Sequence, residues 1–144
     1  MRNGAKGVLA CAIAVAGVTC ASAQMVMIPA RTPNMVLKFD GPTGEYKGSF
    51  GTGFVTSALT GMAQGPDGNA YLFDLNGRIL RFDPYTGEYL GMLGTGFVAQ
   101  PAFGGFGPDG TLYVGEFGSP TQIVRFDPVT GEFKGAFGSG FLSN

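Results

Sequence analysis

The chain has 144 residues, including 26 glycines and no histidine, and a formal net charge of −1. Without histidine it can build neither a Ser-His-Asp triad nor the histidine ligands of common zinc sites. The dense glycine disfavours long helices, and the near-neutral charge supplies no basic stripe for nucleic acid.

Residues 1–23 have the three regions of a secretory signal peptide. Arg2 and Lys6 precede an uncharged stretch over residues 7–18, and an Ala-Ser-Ala sequence ends at Ala23. An apolar stretch of about a dozen residues is shorter than the roughly 20 needed to cross a bilayer. We therefore predict cleavage after Ala23 and a secreted, periplasmic or cell-envelope location, with no membrane span in the mature chain.

Cleavage would remove both cysteines, Cys11 and Cys20, so the mature protein would have no thiol. A lipoprotein with lipid on Cys20 is a minor alternative, because Gly17-Val18-Thr19 is a poor lipobox. Two of nine basic residues and none of ten acidic ones would be lost, which leaves a net charge of about −3. Neither a nucleic-acid partner nor a basic membrane-surface helix is expected.

A long phrase recurs along the rest of the chain. It reads FDGPTGEYKGSFGTGF from Phe39, FDPYTGEYLGMLGTGF from Phe82 and FDPVTGEFKGAFGSGF from Phe126, with spacings of 43 and 44 residues. A second phrase, GPDG, begins at Gly65 and Gly107 and precedes a short apolar run each time. A period in the low forties with several short strands is typical of propeller blades.

One period contains four predicted strands. Residues 60–64, 70–74, 78–83 and 88–93 are strand-like runs, separated by the GPDG turn, by an Asn-Gly hairpin signal and by the Asp-Pro turn that ends at Gly87. We therefore predict an all-β fold made of four-stranded antiparallel blades in a partial, open β-propeller. Jelly rolls and sandwiches are alternatives, but neither requires a repeated phrase.

Residues 25–40 align without a gap to residues 112–127, so the mature chain is expected to begin at the second strand of a blade. The predicted blades are 24–54 (incomplete), 55–97 and 98–144, with three, four and four strands. Closed propellers have about four to eight blades. Two explanations stay open: the chain is the N-terminal part of a longer propeller protein, or several copies associate through open blade edges into a ring.

The combination of GPDG, RFDPxTGE and the following glycine resembles the NHL-repeat and streptogramin-lyase-like group of propellers over nearly the whole mature chain. This resemblance implies six or seven blades in a complete member. The group includes lyases, lactonase-like enzymes and pure binding modules. Its lyases use histidine, which this chain lacks, so the resemblance carries no catalytic residue over.

Asp74 and Glu116 are the candidate ligand-binding residues. Both end the second strand of a blade beside a variable loop, and the gapless alignment puts Pro29 at their place in the first unit. Variable loops on a rigid scaffold commonly carry binding sites. Calcium contact is a weak alternative to plain solvation of these strand ends. Charge reversal at both positions together is expected to leave folding nearly intact while weakening the binding of any ligand.

Other repeated residues have a structural interpretation. Acidic residues in the turns are expected to bond their own backbone, the GTG and GSG phrases to form links with positive φ, and the aromatic after each phrase to pack between blades. Basic residues before the Phe-Asp pairs are expected to pair with acidic side chains across strands. The acidic turn residues are Asp40, Asp67, Asp83, Asp109 and Asp127, the aromatic residues are Phe54, Phe97 and Phe141, and the basic residues are Lys38, Arg81 and Arg125.

The leading hypothesis for function is an exported binding or scaffolding module that recognises a protein, a glycan or a small ligand at the cell envelope. The alternative is a fragment of a metal-dependent lactonase-like or lyase-like enzyme, whose other ligands would come from further blades. A nonfunctional gene fragment is a third alternative. The mature chain has neither histidine nor cysteine, which favours binding over catalysis, and no cofactor is expected.

Overall fold

A computed structural model of the protein describes residues 24–117 and 121–138, and the only regular elements in these residues are β-strands. The strands are β1 (Met25–Ala30), β2 (Met35–Asp40), β3 (Tyr46–Phe50), β4 (Leu59–Gln64), β5 (Ala70–Asp74), β6 (Arg78–Phe82), β7 (Tyr89–Leu93), β8 (Pro101–Phe106), β9 (Leu112–Glu116), β10 (Ile123–Phe126) and β11 (Phe133–Phe137). The predicted signal peptide and Phe141 lie outside the described residues.

The strands form three antiparallel meanders in chain order. The first sheet has the order β1-β2-β3, the middle sheet β4-β5-β6-β7 and the third sheet β8-β9-β10-β11. This result confirms the predicted all-β class with antiparallel blades of three, four and four strands. Within the described residues the three sheets do not close into a ring, so the propeller-like arrangement is open, as expected.

The first strands of the two complete sheets, β4 and β8, are neighbours. The hydroxyl oxygen of Thr60 on β4 lies 2.7 Å from the carbonyl oxygen of Pro101 on β8 and 2.9 Å from that of Phe73, so its one proton can be donated to either. Gly61 allows this approach, because a Cβ there would lie 3.1 Å from the carbonyl oxygen of Ala102. Contact between the first strands of successive sheets is the arrangement around the axis of a propeller.

The apolar core lies between the sheets, because alternate residues of a strand face opposite sides. On β5, Leu72 packs toward the first sheet, and Tyr71 and Phe73 pack toward the third. The residues between the first and middle sheets are Val36, Phe50, Val55, Leu59, Ala70, Leu72, Leu80 and Phe82. Those between the middle and third sheets are Tyr71, Phe73, Ile79, Leu93, Val98, Leu112, Val114, Val124 and Phe126.

The hairpin between β5 and β6 has three loop residues, since Asp74 pairs with Arg78. Gly77 takes the left-handed conformation there, with φ of 74°, whereas Asn76 is not among the residues with positive φ. The Asn-Gly signal therefore predicted a hairpin, but the loop is one residue longer than a two-residue turn with positive φ at both positions.

Cross-strand pairs correct the alignment of the first unit. The phenylalanine of each Phe-Asp pair has a partner on the preceding strand: Phe39 pairs with Val26, Phe82 with Ala70, and Phe126 with Leu112. Counted from these partners, Ala30 is equivalent to Asp74 and Glu116. The alignment that put Pro29 there is wrong by one residue, because the loop after β1 is one residue shorter than the loop after β9.

Candidate functional site

The loops divide between two faces of the molecule. The GPDG turns and the Asp-Pro turns connect strands on one face. The opposite face, here called the link face, carries the loop 75–77, the residues after β9 and the links 51–58 and 94–100 that join successive sheets. Asp74 and Glu116 both lie at strand ends on the link face.

Asp74 fastens its loop to the link that precedes the middle sheet. Its side chain is fully buried, and its Oδ1 accepts the backbone N–H of Asn76 at 2.8 Å. Its Oδ2 accepts a hydrogen bond from the guanidinium of Arg78, which also donates to the hydroxyl of Thr56 at 2.7 Å. Each oxygen of the carboxylate thus accepts one hydrogen bond, and Arg78 extends this network from the hairpin to the link.

Glu116 connects its loop to the preceding link in the third sheet, through different partners. Its Oε1 accepts the backbone N–H of Ala99 in the preceding link at 2.6 Å, and its Oε2 accepts the side-chain amide of Gln122 at 2.5 Å. The residue is only 6% exposed. The expectation of solvated strand ends is therefore wrong for both carboxylates, because each is buried and accepts hydrogen bonds from protein groups on both of its oxygens. Their role in ligand binding stays a prediction.

Glu116 binds its link directly through Ala99, whereas Asp74 reaches its link through Arg78 and Thr56. In residues 24–117 and 121–138 there is no group of three histidine, cysteine, aspartate or glutamate residues that could hold a metal ion. The weak calcium interpretation of Asp74 and Glu116 thus gains no support from the described side chains, and it remains untested.

A groove on the link face lies directly over Glu116. It encloses about 380 Å³ and is lined by the rings of Phe97 and Phe117, the buried carboxylate and Gln122, together with the link backbone at 96–99. The two rings remain 52% and 56% exposed. The sequence placed Phe117 in a variable loop, residues 117–121, but named neither Phe117 nor Gln122 as a site residue; the signal was an aromatic residue directly after Glu116 in that loop.

The aromatic residues that follow the glycine phrases pack between sheets. Phe97 stacks on Phe133 of the third sheet, with ring centroids 4.5 Å apart and an interplanar angle of 15°. Phe54 stacks on Tyr89 of the middle sheet at 4.6 Å. The links adopt positive φ at their glycines, as expected, with values of 84° and 83° at Gly94 and Gly96. The packing interpretation is confirmed for both phenylalanines, and stacking also fixes the orientation of Phe97 in the groove.

The basic residues before the Phe-Asp pairs were expected to pair with acidic side chains across strands. In the structure they donate to backbone carbonyls instead. Lys38 donates to the carbonyl oxygens of Pro84 and Tyr85 in the next sheet, at 3.1 and 3.2 Å. Arg81 likewise reaches the carbonyl of Pro128 in the sheet after it, at 3.0 Å. A long cationic side chain therefore connects each of these sheets to the Asp-Pro turn of the next one.

The acidic residues of the opposite face are occupied by their own turns. Asp83 accepts the backbone N–H groups of Thr86 and Tyr85, and these bonds hold the pKa of its carboxyl below the ordinary value. The GPDG aspartate Asp67 accepts the phenolic O–H of Tyr71 at 2.8 Å. Burial and this hydrogen bond raise the pKa of Tyr71 to about 12. The structural interpretation of the turn carboxylates is confirmed.

Comparison with known proteins identifies the fold class only. No protein-family model and no curated protein matches the chain. Among solved structures, hydrazine synthase of Kuenenia stuttgartiensis matches with a TM-score of 0.67 and 21% identity over 78% of this chain. U3-55K matches with a TM-score of 0.64 and the WD40 repeats of RRP9 with 0.65, each at 14% identity over 78% of this chain.

These neighbours and the sheet arrangement define a β-propeller-type protein. The chain spans only about a third of each neighbour, namely 32%, 35% and 34% of their lengths. Since identity is low, the likeness concerns fold, and it supports a propeller without distinguishing NHL repeats from other kinds. The described part of the chain includes no helix long and apolar enough to span a membrane.

Proposed function

We propose that the protein is an exported, non-catalytic binding module of the NHL-repeat type whose ligand is held on the link face. The groove over Glu116 carries this proposal, since it combines exposed aromatic rings with a buried, oriented carboxylate. Ligand sites in proteins typically join apolar and aromatic walls with a few fixed polar groups. Export is proposed from the signal-like N-terminus.

A glycan is the ligand class that this chemistry suits best. The apolar face of a sugar ring can lie on Phe97 or Phe117, and its hydroxyls can donate to the carboxylate of Glu116. That carboxylate accepts one bond on each oxygen from the protein, and each oxygen keeps a lone pair for a ligand hydroxyl. Hydrogen bonds to an ionised acceptor are among the stronger ones, so a single such contact selects for hydroxyl-bearing ligands.

The groove is also preorganised. Phe97 is held by its stack on Phe133, and Glu116 is held by Ala99 and Gln122, so little side-chain freedom would be lost when a ligand binds. Phe117 is the aromatic side chain that can be removed with least damage, because its ring is 56% exposed. It is therefore the residue to vary.

The test is calorimetric titration of the purified protein with a panel of neutral gluco-, manno- and chito-oligosaccharides. Phe117→Ala is expected to weaken binding of a positive oligosaccharide at least tenfold without changing the melting temperature by more than a few degrees. Tyr85→Ala is the matched control, since Tyr85 is an aromatic residue that is 72% exposed on the opposite face. It should bind like the parent protein.

Absence of binding across the panel, or equal losses in the two variants, would overturn the glycan proposal for this groove. Export is checked separately by mass spectrometry of the secreted protein. A mature N-terminus at Gln24 is expected, and an intact N-terminus with no secreted product would contradict export.

A further inference from the structure

The first and third sheets of the open propeller present unlike outer faces. The interface between the middle and third sheets has two different halves: one is built around Tyr71, Phe73 and Ile79, and the other around Val124 and Phe126, with Leu112 and Val114. Three strands of the pattern recur in every sheet, although the first sheet has no counterpart of β4 and β8, so each sheet carries the equivalents of one half on each of its faces. One face at each end of the described chain therefore has no partner sheet.

The outer face of the third sheet repeats the half that is built around Tyr71, Phe73 and Ile79 in the middle sheet. Tyr113 and Ile123 are the equivalents of Tyr71 and Ile79, and Phe137 is the equivalent of Leu93. Phe103 lies over Gly115, where a Cβ would be 2.7 Å from its ring, and so replaces Phe73 from the neighbouring strand. This face is apolar and open, with Phe103 65% exposed beside a cavity of about 260 Å³.

The outer face of the first sheet repeats the other half, which is built around Val124 and Phe126 in the third sheet. By the corrected register, Val26 and Ile28 are the equivalents of Leu112 and Val114, and Leu37 and Phe39 are the equivalents of Val124 and Phe126. Val26 and Ile28 are 42% and 47% exposed, whereas their equivalents are fully buried. In the described residues, the outer faces of the first and third sheets therefore carry the two complementary halves of the internal interface.

A polar contact follows the same pattern. Lys38 and Arg81 each donate to the Asp-Pro turn of the next sheet, and Arg125 is the third residue at this position. Arg125 donates to the carbonyl of Lys134 within its own sheet and lies over the ring of Phe137. The acceptor that corresponds to Pro128 in a following first sheet is the carbonyl of Gly41.

We propose that the outer face of the third sheet binds the outer face of the first sheet of a second copy, so that the protein associates head to tail. The occupant of each face is this same chain, because the internal interface already shows how such halves fit. A head-to-tail contact between unlike faces forms a ring if its rotation closes and a chain if it does not. The contact is independent of any ligand on the link face.

Two single-face variants test this proposal in the full chain, purified with the N-terminus that the host leaves. Phe103→Asp places a charge on the face of the third sheet, and Ile28→Asp places one on the face of the first. Val129→Asp is the control, since Val129 is 78% exposed in a turn outside both faces. Molar mass is measured by light scattering coupled to size exclusion, and folding by circular dichroism.

The parent protein and Val129→Asp are expected to be oligomers, and each single-face variant is expected to be a folded monomer. Mixed in equal amounts, the two monomeric variants should form a dimer and nothing larger, because only one intact pair of unlike faces remains. A monomeric parent, oligomers in Ile28→Asp or Phe103→Asp alone, or a mixture that stays monomeric would each overturn the proposal.

Discussion

Two glycines on the link face allow the effect of backbone strain on stability to be distinguished from the effect of steric crowding. Gly77 and Gly53 have positive φ of 74° and 84°, so alanine is strained by about 1–2 kcal/mol at either position. A Cβ on Gly77 would also lie 2.5 Å from the carbonyl oxygen of Val98, whereas one on Gly53 meets nothing within 4 Å. We expect Gly77→Ala to lower the melting temperature clearly more than Gly53→Ala. Equal shifts would contradict the close approach at Val98.

The Tyr71 phenol predicts a loss of stability in alkali. Its pKa is raised to about 12 in the folded protein, by burial and by its bond to Asp67, from an ordinary value near 10. Folding therefore favours the neutral phenol. The contribution of this group to the free energy of unfolding is fully present below pH 10 and is lost as the pH rises to 12. Denaturant unfolding of Tyr71→Phe should show a smaller decline over that window. Parallel curves for the two proteins would refute this account.

At the scale of the element, the buried carboxylates hold the links to the hairpins. Removal of Glu116 leaves the N–H of Ala99 and the amide of Gln122 without their acceptor, which costs about 1–3 kcal/mol for a buried donor. We expect Glu116→Ala to lower the free energy of unfolding by about this amount in urea titration. Glu132→Ala, at an exposed glutamate of a turn, should change it by less than about 0.5 kcal/mol.

Most of the strand pattern is predictable from the sequence, because the Phe-Asp and GPDG phrases carry turn residues whose effect is local. The register of β1 is not, because a loop one residue shorter leaves no trace in an alignment without gaps. The partners of Lys38 and Arg81 also escape sequence reasoning. They are backbone carbonyls in another sheet, and a carbonyl has no residue signature.

The candidate site is likewise only partly predictable from the sequence. Glu116 is recognisable as an acidic residue at the end of a strand, but its burial depends on the course of the preceding link. That course follows from positive φ at Gly94 and Gly96 together with the stack of Phe97 on Phe133. Glycine indicates that such a conformation is allowed, but only tertiary packing decides which groups the link brings to the carboxylate.

At the scale of the whole molecule, the described residues cover the middle sheet on both faces and the outer sheets on one. Every residue of β5 is buried, whereas β1 and β11 have only intermediate and exposed residues. In the monomeric variant Phe103→Asp, amide hydrogen exchange is expected to be slowest on β5 and β6 and fastest on the outer strands, since opening of the end sheets exposes less core. Uniform protection across all sheets would argue against this gradient.

The ring of Phe73 also limits how this protein could have evolved. Its tip fills the space over Gly104, where a Cβ would lie 2.5 Å away. The cross-strand pairs give Met62 as the equivalent of Gly104 in the middle sheet. A gene duplication that repeated the middle unit in tandem would therefore place the methionine against the phenylalanine. Despite their similar phrases, the middle and third units are therefore not interchangeable at this contact without a shift of the phenylalanine ring or the methionine.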